Sequence, residues 1–159
     1  MVSRLLDKVG ACALMFLTCS LQGQVLSLSS ADSADRGGKT KVVLALNAGE
    51  TKPTAMEWEV IVPVRRVSLD ASKPTPATQS AGKALQCAGH WVKGGEIYAY
   101  RCIVAGGLQV IGNGDIAEFD FRVREQSGEF KIRIEKALGV SADLKTIRFK
   151  DTERAISVR

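Results

Sequence analysis

Residues Leu85–Val104 read LQCAGHWVKGGEIYAYRCIV, two strand-like runs that meet at Gly94-Gly95. Gly-Gly is a favoured two-residue hairpin connection, because both central positions can take the positive φ that matches the twist of the flanking strands. A turn there sets Lys93 opposite Glu96, and the same register followed outward brings Cys87 opposite Cys102. Directly opposed residues of an antiparallel pair lie about 4.5–5.5 Å apart at Cα, within the span of a disulfide. The turn alone therefore predicts a hairpin closed by a Cys87–Cys102 bridge.

That register places Leu85, Cys87, Gly89, Trp91, Tyr98, Tyr100, Cys102 and Val104 on one face. Gln86, Ala88, His90, Val92, Ile97, Ala99, Arg101 and Ile103 take the other. The first face is the more continuously apolar and reads as core-lining, with Tyr100 covering Gly89 and Trp91 packing on Tyr98. A second reading makes Trp91, Tyr98 and Tyr100 a stacking platform for sugar rings, since aromatic faces on a rigid sheet suit that use. His90 points outward, away from any identifiable base or nucleophile.

Outward from the hairpin the period stays at two. Val42/Leu44/Leu46 open a first strand, and Met56/Trp58/Val60/Val62 alternate with Glu57 and Glu59 until Pro63 stops them. Ala117/Phe119/Phe121/Val123 and Phe130/Ile132/Ile134 alternate with charged residues, and short pieces follow at Ile147–Phe149 and Ala155–Val158. No stretch of helical period intervenes, so the chain reads as an all-β antiparallel sandwich or barrel. Asp70–Lys83, DASKPTPATQSAGK, is a long polar connection too rich in proline for an interior strand.

The 159 residues suit one domain, and 45% hydrophobic content is enough to bury a core, which excludes a disordered chain. Arg4 and Lys8 precede a short apolar run, Val9–Leu21, that ends in polar Gln22-Gly23-Gln24. This is the pattern of a secretory signal peptide over residues 1–24, too short for a membrane span. Its removal takes Cys12 and Cys19 and leaves Cys87 and Cys102 as one pair in an oxidising compartment. Removal also takes Arg4, Lys8 and Asp7, so that 20 basic groups face 16 acidic ones, without a cationic cluster of the kind nucleic acid requires. Residues 25–39, VLSLSSADSADRGGK, are poor in large apolar side chains and read as a flexible leader to a domain spanning 40–159.

A single histidine, His90, restricts any Ser-His-Asp or Cys-His device to that one residue. Glu57 and Glu59 lie on one strand face as neighbours, whereas glycosidase carboxylates flank a bound sugar across a cleft. Gly112-Asn113-Gly114-Asp115 is a turn with only two side-chain oxygens to offer a cation. The expectation is a chain with no catalytic set, no metal and no cofactor.

Lys41–Asn47 (KVVLALN), Ala55–Pro63 (AMEWEVIVP), Val110–Val123 (VIGNGDIAEFDFRV) and Ala155–Val158 (AISV) follow one another as do the strands of cohesin domains. In that pattern a glycine-containing turn leads into an Ile/Leu-Ala-x-Phe/Leu-x-Phe-x-Val strand, which Ile116–Val123 resembles. The resemblance runs over Lys41–Val158 and implies a jelly-roll sandwich of about nine strands, related to carbohydrate-binding modules. It further implies a secreted, non-catalytic binding module, because cellulosomal cohesins receive the calcium-loaded dockerin modules of polysaccharide-degrading enzymes. The partner expected is thus a dockerin-like protein module or a polysaccharide. The alternative is a structural or adhesion subunit of an envelope or extracellular assembly, making contact through strand edges.

Overall fold

The computed structural model describes residues 23–92 and 94–159. The signal peptide expected over residues 1–24 lies outside the described residues apart from Gly23 and Gln24, as does Lys93. Eleven strands and one short helix follow in the order β1 (Val25–Ser30), β2 (Ser33–Ala34), β3 (Lys39–Asn47), β4 (Pro53–Pro63), β5 (Val67–Pro74), α1 (Pro76–Ser80), β6 (Ala84–Trp91), β7 (Ile97–Ala105), β8 (Gly114–Val123), β9 (Gly128–Ser141), β10 (Thr146–Arg148) and β11 (Thr152–Val158). They form a smaller sheet in the order β1-β3-β8-β5 and a larger one in the order β2-β11-β9-β4-β7-β6, with β10 paired to β9. Nine of the strands have six residues or more, the number that the cohesin resemblance implies, and the two sheets make the sandwich that the alternating pattern left open beside a barrel.

The core is built as the period-two reading requires. Val42, Leu44 and Leu46 of β3 and Phe119, Phe121 and Val123 of β8 face Met56, Trp58, Val60 and Val62 of β4 and Ile132 and Ile134 of β9, all buried. Phe119 and Phe121 lie on the same side of β8 with ring centroids 6.3 Å apart. The residues between them in sequence carry the charges outward, and this alternation fixes which face of each sheet is wet.

β9 is longer than its alternating stretch indicates. Lys136 takes a positive φ of 54°, and the register with β4 shifts between Glu57 and Glu59, so that an extra residue enters β9 at this point. The inward set then changes from Phe130, Ile132 and Ile134 to Ala137 and Ser141. A bulge reverses which side each later side chain takes, and the pattern on either side of it cannot be read as one strand.

Two expectations need correction. Residues 25–39 are no flexible leader: Val25–Ser30 pairs antiparallel with β3, buries Leu26, and passes into β2, which runs parallel to β11 in the other sheet. The serines that weaken the hydrophobic signal alternate outward, so three apolar residues suffice for a strand at the sandwich edge. The polar connection is also more ordered than its prolines indicate. Val67–Pro74 is an edge strand, where proline costs no ladder bond, and Pro76 then opens α1 at the position where a missing N–H is harmless. Thr78 of α1 is buried and its hydroxyl donates to the Ile116 carbonyl at 2.7 Å, which pins the helix across the gap between the sheets.

Candidate functional site

The hairpin forms in the register set by its turn. Gly94 and Gly95 have φ of 111° and 70°, and the pairs run from Trp91 with Tyr98 to Ala84 with Ala105. The Lys93–Glu96 pair lies outside the described residues, but Val92 N–H donates to the Ile97 carbonyl at 3.2 Å and carries the same register to the turn. Cys87 and Cys102 face each other at 4.1 Å between Cα atoms and are disulfide-bonded.

The aromatic face of the hairpin runs out of the core as it nears the tip. Val104 and Cys102 are fully buried, Tyr100 and Tyr98 are half-buried, and Trp91 is 63% exposed. Tyr98, not Tyr100, covers Gly89, because its ring leans diagonally across the pair. Trp91 does pack on Tyr98, with centroids 5.0 Å apart and planes at 87°, and Tyr98 meets Tyr100 at 5.0 Å and 63°. Edge-to-face rings of this kind form a packed ladder, and the three rings share no common plane. Tyr100 is further held by the Leu69 N–H, which donates to its hydroxyl at 3.3 Å. An open groove of about 380 Å³ runs beside the ladder, lined by Gly89, Trp91, Tyr98, Tyr100, Ser68 and Arg124.

The two outer faces differ in chemistry. On the smaller sheet, Arg122 donates to Asp70 at 3.0 Å, Lys73 to Asp120 at 2.8 Å, and Lys41 lies 2.8 Å from Glu118. The Arg122 guanidinium holds the Asp70 carboxyl below its ordinary value, and the Lys73 ammonium does the same to Asp120. This face is a lattice of exposed, mutually satisfied charges, the arrangement of a solvated surface.

On the larger sheet, Ile61 pairs with Ala99 and Pro63 with Ile97 across β4 and β7, and Ile103 stands opposite Glu57 further along. Ile97 and Ile103 are 36% and 44% exposed, whereas Ile61 is covered by its neighbours. Charged pairs border and divide these residues: Arg101, which stands between Ala99 and Ile103 on β7, donates to Glu57 at 2.9 Å, Lys136 donates to Glu59 at 2.8 Å and Lys131 to Glu153 at 2.6 Å. Glu59 raises the pKa of Lys136, and Glu153 that of Lys131, chiefly through those hydrogen bonds. A shallow depression of about 510 Å³ opens between Ile61, Pro63, Ile97, Lys131, Arg133 and Glu153. Exposed apolar residues set among paired charges are a composition found at protein-binding faces.

His90 is exposed on the outer face of the larger sheet, opposite Ala99. Glu57 and Glu59 are tied in separate ion pairs, to Arg101 and Lys136. Asn113 serves the turn, its Oδ1 accepting the Ala48 N–H at 2.9 Å. Trp58 is 1% exposed between the sheets and presents nothing to solvent. Sequence reasoning assigned Ile97, Ala99 and Ile103 to the outer face without seeing that Ile61 and Pro63 extend them into a strip. The missing information was the pairing of β4 with β7, a contact between segments far apart in the chain.

No protein-family model and no curated protein matches the sequence. Solved structures do match in fold. The chain is similar to the cohesin module of a family 33 glycoside hydrolase from Clostridium perfringens, with a TM-score of 0.68 and 13% identity over 86% of this chain and 97% of that one. It is similar also to a type I cohesin from Clostridium thermocellum solved in complex with a dockerin (TM-score 0.61, 10% identity, 85% of this chain and 95% of that one). A non-cellulosomal cohesin from the archaeon Archaeoglobus fulgidus matches with a TM-score of 0.61 and 12% identity over 86% of this chain and 91% of that one. The fold is that of a cohesin domain.

Proposed function

We propose that this cohesin-type sandwich is a non-catalytic binding module that receives a protein partner on the outer face of its larger sheet. The observation that carries the reading is the contrast between the two outer faces. One is covered by paired charges alone, and the other exposes Ile97, beside Pro63, and Ile103 among its charged pairs. Exposed apolar residues gain from losing water while the charges beside them fix orientation. The partner class is a dockerin-like module, as in the neighbours solved as complexes with dockerins. Export by the N-terminal segment and a place in polysaccharide degradation belong to the same proposal.

The test is titration calorimetry of the purified chain against a panel of calcium-loaded dockerin modules, repeated with Ile97→Lys and Ile103→Asp. Binding to a member of the panel that weakens at least about tenfold with each substitution supports the reading. Binding that is indifferent to both substitutions, or that is lost through changes on the smaller sheet instead, overturns it.

A second reading, direct glycan binding, is favoured by the exposure of Trp91 beside Arg124. With the rings crossed at 87° and 63°, it calls for a single sugar ring on Trp91 and not a flat row of rings along a polysaccharide surface. Quenching of Trp91 fluorescence by oligosaccharides, absent in Trp91→Ala, is the expected result. Unchanged fluorescence across neutral and acidic oligosaccharides removes this reading.

A further inference from the structure

An edge strand offers a row of unpaired backbone N–H and C=O groups, and proteins ordinarily guard such edges with charge, proline, bulges or cover. The edges of this sandwich are guarded to different degrees. β5 carries Asp70, Lys73 and Pro74 and a register shift between Leu69 and Ala71. β1 passes directly into β2, and the seam is closed by Ser157 N–H to the Asp32 carbonyl, Arg36 N–H to the Arg159 carbonyl and Arg154 to the Ser30 carbonyl. β2 itself is two residues long. β6, the other edge of the larger sheet, reads ALQCAGHW: eight residues with no proline, no Asp, Glu, Lys or Arg, and no break in register.

The free groups on β6 can be assigned. Val92 bonds to Ile97 across the hairpin, and alternation makes Gln86, Ala88 and His90 the hydrogen-bonded positions toward β7. The close approach of Cys87 and Cys102, 4.1 Å at Cα, marks the intervening class of pair. Leu85, Cys87, Gly89 and Trp91 therefore direct their N–H and C=O away from the sheet. Among the described residues none of the four donates to or accepts from another segment on that side. The disulfide holds the strand straight against β7, so the row is preformed.

We propose that β6 is the contact strand of a two-fold dimer, pairing antiparallel with β6 of a second copy. A second copy fits because the strand is self-complementary. With the two-fold axis at Ala88, Leu85 faces Trp91 of the second copy, Cys87 faces Gly89, and Gln86 faces His90. Each Trp91, 63% exposed in the single chain, is then covered by a half-buried Leu85, and no two like charges oppose each other. Placing the axis at Cys87 instead sets Leu85 against Gly89 and leaves both tryptophans uncovered. The contact is isologous: it occupies β6 of both copies and so closes as a pair. An eight-residue strand with one tryptophan on each side lies at the small end of stable interfaces, so the dimer is a weak one that depends on concentration. It joins the two larger sheets edge to edge and presents two outer faces together, a bivalent arrangement.

Sedimentation equilibrium of the full chain over a wide concentration range tests this, together with amide exchange. The expected result is a monomer–dimer equilibrium in which the Leu85, Cys87, Gly89 and Trp91 amides become protected as concentration rises. Ala88→Lys places two ammonium groups face to face on the axis and weakens the dimer about tenfold or more, as does Ala88→Glu, while mixing the two variants restores association. Trp91→Ala weakens it independently of charge. A monomer at every concentration, a dimer indifferent to Ala88→Lys, or protection of β6 only by an extended peptide of another protein overturns the proposal.

Discussion

Tyr98 occupies the place where a side chain of Gly89 would be: a Cβ built on Gly89 would lie 2.3 Å from Cε1 of Tyr98 and 2.7 Å from its hydroxyl oxygen. The glycine is required for space and not for backbone conformation, since its φ is not among the positive ones. Gly89→Ala is expected to push the Tyr98 ring off the strand and away from Trp91, at a cost of about 1–3 kcal/mol. In a Tyr98→Ala background the same substitution should be nearly neutral. A double-mutant cycle by chemical denaturation checks the coupling, and the near-ultraviolet signal of Trp91 reports the displaced ring. Additive effects would show that Tyr98 yields freely and that the close approach carries no energy.

How far the sequence reached can be argued from the same pair. The register came from one turn, a local signal, which brought the two cysteines opposite each other, and it holds from Val92 to Ala84. Which face of the hairpin is wet was only half legible. Leu85, Cys87, Tyr98, Tyr100, Cys102 and Val104 follow the core reading, but Trp91 does not, because the hairpin outruns the opposing sheet and periodicity carries no information about where a neighbour ends. The strand in residues 25–39 was missed for the opposite reason. Leu26 and Leu28 alternate with polar residues over too short a span to rise above a serine-rich background, and only pairing with β3 makes a strand of them. The candidate binding strip depended on β4 lying beside β7, a long-range pairing that no local signal encodes.

The Cys87–Cys102 bridge ties an edge strand to the sheet. β7 is held on its other side by β4, whereas β6 has β7 alone. Reduction is expected to lower the stability by about 3 kcal/mol in the chain-entropy model for a loop of this size. The loss should be uneven, with amide exchange accelerating first at Gln86, Ala88 and His90, which bond to β7, and last in β3, β8 and β9. Peptide mapping without reductant should recover Cys87 and Cys102 in one linked fragment. Recovery of free thiols, or uniform acceleration of exchange, would contradict this account.

The outer face of the smaller sheet contributes to the acid limb of stability. Arg122 lowers the pKa of Asp70, and Lys73 that of Asp120, relative to the ordinary 3.8. Carboxyls that are more acidic in the folded state contribute stability that is present above the unfolded value and is lost as pH falls through the folded one. Thermal unfolding should therefore fall off below about pH 4, and the Asp70→Asn/Asp120→Asn variant should be less stable at neutral pH yet lose less on acidification. Because these pairs are exposed, added salt should narrow the difference. Parallel pH profiles for the two proteins would rule out this origin of the acid limb.

Lys83 supplies a slope of opposite origin. It is 6% exposed between α1 and β6, its Nζ donating to the Gly107 carbonyl at 2.9 Å, and among the described residues it has no carboxylate partner. Burial pushes its pKa below the ordinary 10.5. Between the folded and unfolded values the unfolded chain binds the proton and the folded chain does not, so stability rises with pH through that window. Below the window the buried charge is a penalty in full. Lys83→Met keeps the aliphatic stem and removes the charge, at the expense of one hydrogen bond to Gly107. It is expected to be more stable than the parent at neutral pH by about 1 kcal/mol. That advantage should shrink steadily as the pH is raised toward 10.5. Urea denaturation of both proteins at intervals from neutral to alkaline pH checks the sign. A variant less stable at neutral pH would mean that the Gly107 hydrogen bond outweighs the desolvation of the ammonium, and an advantage that does not change with pH would mean that Lys83 keeps its proton throughout.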